Sequence, residues 1–162
     1  AAIPERYERL RALAQQTAAR PRVMLNTPYR DTWFMPARNS YMVRLLEDAG
    51  ARYVFEENTA TQTLPIDIEQ AYYLTSKSDF WLNVSGCNTL DEVRRQNPRL
   101  ADTPPVREGR VYDNNRRRNA AGGSDFWESG VLRPDRVLAD LVHIFHPELS
   151  ETDELYYYRQ LE

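Results

Sequence analysis

Residues 22–55 read RVMLNTPYRDTWFMPARNSYMVRLLEDAGARYVF, and this stretch decides the fold class. RVMLN (22–26) is a short apolar run suited to a buried strand. Met42, Leu45, Leu46 and Ala49 then recur at the i, i+3, i+4, i+7 spacing of one helix face, which Gly50 closes. RYVFEE (52–57) predicts a second strand. Strand, helix and strand follow one another with no tight hairpin, the order that a parallel pair needs. The first connection is unusual. It masses Trp33, Phe34 and Met35, stops at Pro36 and hands over to a helix at Asn39 or Ser40. Large apolar groups in a connection either plug the core or form a surface for a ligand.

Outward from this unit the pattern continues. An amphipathic helix over 4–19 (Tyr7, Leu10, Leu13, Ala14 and Thr17 on one face) precedes it and ends at Pro21. Asp67 with Gln70 resembles a capping box for a helix whose face is Ile68, Ala71, Tyr72 and Thr75. DFWLNV (79–84) predicts the third strand, Thr89 with Glu92 a second capping box, and GRVYDN (109–114) the fourth strand. Pro134 opens a last helix with Val137, Leu138, Leu141, Val142 and Phe145 inward. The expectation is an α/β, Rossmann-like three-layer sandwich around a mostly parallel four-stranded sheet. In such sheets ligands sit beyond the carboxyl ends of the strands, which puts the Trp33 connection on the functional edge.

The 162 residues suit one domain with a real core, and 41% hydrophobic with 28% charged residues is ordinary for a globular chain. A net charge of −3 argues against nucleic acid as a partner. No apolar run approaches bilayer length, and AAIPERYERL has no signal-peptide core, so a cytosolic or an already trimmed chain is expected. A lone Cys87 rules out an internal disulfide. No nucleophile elbow, metal-ligand cluster or carboxylate pair stands out, so neither a catalytic residue nor a resident cofactor or metal is expected. His143 and His146, at the end of the last helix, are read as partners of its C-terminus. The chain is expected to fold as a monomer without metal.

Two constellations carry the binding chemistry. Tyr29, Trp33, Arg38 and Asn39 lie beside a helix N-terminus and suit a flat or anionic ligand. NNRRRNAAGGSDFWESG (114–130) follows the fourth strand on the same edge, offering Arg116 and Trp127, although a run of arginines also suits a solvated turn. Trp33 and Trp127 are expected to wall the ligand, with Arg38 and Arg116 pairing its acidic groups. Within the connection, Phe34 and Met35 are read as plugs and Trp33 as largely accessible. A flavodoxin-like enzyme or cofactor module using the same sheet edge is the alternative.

The succession RVMLNTPYRDTWFMPARNSYMVRLLEDAGARYVF, DIEQAYYLTSKSDFWLNVS, VREGRVYDNN and RPDRVLADLVHIFHPEL resembles the C-terminal lobe of periplasmic substrate-binding proteins of ABC importers for iron compounds (siderophores, haem) and cobalamin. The resemblance implies a two-lobed, lipid-anchored periplasmic receptor. Residues 1–20 would end the inter-lobe connecting helix, 21–162 would form the C-terminal lobe, and the N-terminal lobe would lie upstream. It implies an iron-containing or corrinoid ligand, and an ABC permease as partner, met by Glu69 in PIDIEQAYY. Where the family often has glycines this chain has Ala37–Arg38, which favours an anionic ligand.

Overall fold

The computed structural model describes residues 2–162. Helix α1 (Ala2–Gln15) leads into β1 (Arg22–Leu25), β2 (Trp33–Met35), α2 (Tyr41–Asp48), β3 (Arg52–Tyr53), β4 (Leu64–Ile66), α3 (Ile68–Ser76), β5 (Phe80–Leu82) and α4 (Leu90–Gln96). Then follow α5 (Pro104–Arg107), β6 (Val111–Asp113), α6 (Ser129–Leu132), α7 (Pro134–Phe145) and β7 (Arg159–Gln160). The central sheet has five strands in the order β3-β1-β5-β6-β7. All of its pairings are parallel except β6 with β7. The four expected strands form its parallel part, and the fifth comes from the unanticipated run at 159–160. Helices α1, α2, α6 and α7 pack together, while α3 packs on α5 and β1.

Local chemistry explains the boundaries. The Ser40 hydroxyl accepts the Val43 N–H and starts α2, with Val43, Leu45 and Leu46 inward. The Asp67 and Thr89 side chains cap α3 and α4 on the N–H groups of Gln70 and Glu92. After α2 the chain turns through Gly50 at φ +82°, where its carbonyl accepts a hydrogen bond from the His146 ring at 2.9 Å. His146 is buried there, and His143 bonds Ser150 and Thr152 instead. Helix α1 docks through Leu10 and Ala14, the Tyr7–Asp48 hydrogen bond and the Arg6–Asp135 ion pair.

The Trp33 connection departs from expectation. Residues 33–35 form a strand, paired antiparallel with β4 in the register Trp33↔Ile66, Phe34↔Pro65, Met35↔Leu64. Side chains alternate across a strand, so Trp33 and Met35 point inward at 1% and 0% exposure while Phe34 stands 41% exposed. The reading of Trp33 as accessible and Phe34 as a plug is thus inverted, and Met35 is the plug. A strand of its own, rather than a loop, lets the chain bury two of three consecutive large residues.

Candidate functional site

Three parallel strands end side by side, and their terminal residues build a groove. Asn26 follows β1 and Asn83 follows β5, both with left-handed backbone (φ 74° and 65°) that asparagine tolerates better than most residues. Asp113 ends β6, and Asn114 follows it. The Asn26 side chain donates to the Phe34 carbonyl at 2.9 Å, which ties β2 to the end of β1. The Asn83 Oδ1 accepts the Tyr158 hydroxyl at 2.9 Å and the Asn114 amide at 3.2 Å.

Aromatic side chains wall the space above this floor. A cavity of about 250 Å³ lies between Asn26, Asn83 and Asp113 below and Tyr29, Phe34 and Trp127 around it, with Thr27, Ser85 and Asn114 completing the lining. Tyr29 is 68% exposed at the base of a tight turn closed by its two backbone hydrogen bonds with Thr32. Trp127 is 66% exposed at the end of a 3-10 turn (Asp125–Trp127), braced edge-on by buried Phe126 at 4.8 Å. A second compartment of about 330 Å³ continues past Trp127 along Ser85, Asp113 and Asn114 to Arg118.

The electrostatics run against the basic site read from the sequence. Among the described residues that line the first compartment, Asp113 alone carries a charged side chain. Burial pushes its carboxyl above the ordinary carboxylate range, opposed by the Asn114 N–H and the positive field of Arg159. Arg38 lies outside the groove, donates to the Glu56 carbonyl and borders separate cavities, one of them with Asn39. The three consecutive arginines diverge. Arg116 bonds the Leu155 carbonyl and faces Glu154 at 3.7 Å, Arg117 stacks over Tyr156 at 3.8 Å, and Arg118 bonds the Gly122 carbonyl at 2.9 Å. Of the expected residues, Tyr29 and Trp127 come together. Trp33 is buried beneath, and Arg38, Asn39 and Arg116 stand elsewhere.

Several groove residues escaped the sequence reading: Phe34, the asparagines at the strand ends, and Asp113. The signal for the last three was a polar residue closing each apolar strand run, as in RVMLN, FWLN and VYDN. Support for Asn83 also comes from afar. The Asp140 carboxylate on α7 accepts the backbone N–H groups of Tyr156, Tyr157 and Tyr158 at 2.6–2.9 Å, fixing the segment whose Tyr158 hydroxyl reaches Asn83.

Glu69 stands apart, exposed in the first turn of α3. Arg99 grips it through two hydrogen bonds of 3.0 and 3.2 Å, and the same guanidinium lies 3.9 Å over the Tyr72 ring.

Comparison with known proteins agrees with this architecture. A curated relative, the "Uncharacterized lipoprotein MJ0878" of Methanocaldococcus jannaschii, is 27% identical over 131 residues, covering 79% of this chain and 30% of its own length. A periplasmic haem-binding protein of Pseudomonas aeruginosa shares the fold with TM-score 0.66 at 21% identity, over 98% of this chain and 55% of that protein. An ABC transporter substrate-binding protein of Listeria monocytogenes does so with TM-score 0.65 at 15% identity, over 90% of this chain and 55% of its own. The chain therefore spans about half the length of these solved structures, and less of the curated relative. A family model described as "Periplasmic binding protein" matches residues 1–116, which takes in β1 to β6 and the whole floor of the groove; the chain belongs to that family.

Proposed function

We propose that this chain is the ligand-binding lobe of an extracytoplasmic receptor that captures an iron compound (siderophore or haem) or a corrinoid and delivers it to an ABC importer. The observation that carries this reading is the groove. Exposed aromatic walls stand over a polar floor at the carboxyl ends of three parallel strands, on a chain of the periplasmic binding protein family. Tyr29, Phe34 and Trp127 suit a large, partly flat or apolar ligand, and no step of bond making is required of any residue. A cavity of about 250 Å³ holds only part of such a ligand, so a second lobe would close over the remainder. The haem-binding neighbour and the lipoprotein relative support a periplasmic, lipid-anchored setting for the longer protein. In it, residues 1–20 would end the connecting helix and 21–162 would form the lobe. Glu69 would meet arginines of the permease, exchanging the contact it now makes with Arg99.

Titration of the chain with haem, a ferric trihydroxamate and cyanocobalamin tests the reading. Saturable binding of at least one, lost when Phe34 and Trp127 are both replaced by Ala, is expected. Binding of none by this chain or by the longer protein, or binding indifferent to that double change, would remove it.

A further inference from the structure

The floor of the groove contains an unmet demand. Asp113 is 3% exposed, and its Oδ1 has no hydrogen-bond partner among the described residues. Buried carboxylate oxygens almost always find donors, and one that does not is a place where a missing partner belongs. Neighbouring polar groups are engaged elsewhere: the Asn114 amide with Asn83, the Asn26 amide with the Phe34 carbonyl, and the Tyr158 hydroxyl with Asn83. Nearby cations do not answer it. Arg159 is held by the Asn88 carbonyl at 3.0 Å and by the side chains of Asn88 and Asn115, and Arg118 by Gly122. Asp113 lines both compartments of the groove.

We propose that Asp113 is the polar anchor of the groove and takes a cationic donor group of the ligand, an ammonium or guanidinium, while Phe34 and Trp127 cover the ligand's apolar or flat part. A neutral donor would only fill the hydrogen bond, whereas a cation fills it and also favours the ionised form that burial opposes. The groove therefore favours a cationic ligand, opposite to the anionic ligand that Arg38 and Arg116 suggested from the sequence. This step rests on the reading of the groove as the ligand site.

A matched pair of probes tests it: a ferric trihydroxamate ending in a free ammonium, and the same chelate with that amine acetylated. The chain should bind the ammonium form at least tenfold more tightly than the acetylated form. Asp113→Asn should reduce the ratio to within about twofold. Equal affinity of the unsubstituted chain for the two chelates overturns the proposal, and this contrast decides the matter even if Asp113→Asn does not fold. Haem binding that depends on Phe34 and Trp127, without preference for the ammonium chelate, refutes the Asp113 role and leaves the groove intact. Failure of haem, cyanocobalamin and both chelates to bind either this chain or the longer protein refutes the groove itself and the anchor with it.

Discussion

The indole rings of Trp33 and Trp81 stack with centroids 5.8 Å apart, and each donates its N–H to one of two successive carbonyls at the end of β1. Trp33 bonds Leu25 at 3.0 Å and Trp81 bonds Asn26 at 2.7 Å. This pair fixes where β1 stops and so where the groove begins. It places a fully buried, satisfied core beside the strand end whose residues line the groove.

Replacing Trp33 by Ala is therefore expected to cost about 3–5 kcal/mol, the range for emptying a buried tryptophan site, and to orphan the Leu25 carbonyl. The same truncation of the exposed neighbour Phe34 should cost under about 1 kcal/mol. Denaturant melts of the two variants check this. Similar losses would contradict the alternation of β2.

Gly50 is predicted to be intolerant of any side chain. Its φ of +82° disfavours L-residues, and a Cβ there would stand 2.7 Å from the His146 Nε2 and 3.0 Å from the Ala14 carbonyl. Gly50→Ala should lose about 1–3 kcal/mol from the backbone alone, and more from the crowding. A thermal melt within error of the original chain would show that this corner relaxes freely.

The acid side of the stability profile should depend on Asp135. Bidentate hydrogen bonds from Arg133, then a single one from Arg6, hold its carboxyl down to about 2 from an ordinary 3.8. A depressed carboxylate stabilises the fold fully above its unfolded value and loses that contribution as pH falls toward the folded one. Because both guanidiniums are partly exposed, we expect about 1–2 kcal/mol rather than the full shift. Asp113 and Asp140 act in the opposite sense, since burial raises both and acidification relieves the cost of ionising them. Asp135→Asn should thus be less stable at pH 7 and converge on the parent near pH 2. A gap independent of pH would refute the assignment.

Charge reversal at Glu69 should leave ligand affinity unchanged, because Glu69 lies outside the groove, yet impair uptake by the importer that the longer protein would serve. Arg99→Ala supplies the control. It breaks the same exposed pair at little cost to stability and should leave uptake intact or improve it, since it frees Glu69. Normal uptake with Lys at position 69 would end the docking role.

Much of the fold was legible because periodic signals are local. Met42 to Ala49, the Ser40, Asp67 and Thr89 caps, and the apolar runs at 22–25, 80–82 and 111–113 declare themselves within a few residues. What was not legible depends on partners distant in sequence. Residues 33–35 are apolar at all three positions, so the sequence does not announce which of them turn inward, and their partner strand contains Pro65. Strand β7 is held by Asp140 from α7 through the preceding tyrosines, a bond that no spacing announces. The arginines were misleading for the same reason. Their residue type suits anions, but Arg116 and Arg117 turn to the 154–156 segment and Arg118 to the Gly122 carbonyl of its own loop.

Ligand is expected to meet Trp127 at the groove and to leave the buried Trp33 and Trp81 untouched. One nitrogen-15 NMR titration reads all three indole N–H groups at once. Diamagnetic probes serve for this: gallium-substituted haem, a gallium trihydroxamate and cyanocobalamin. The probe that binds should shift the Trp127 indole signal from the first additions, while the Trp33 and Trp81 indoles, bonded to the Leu25 and Asn26 carbonyls, keep their signals in place. Saturable binding that moves the two buried indoles and spares Trp127, or that moves none of the three, would contradict it.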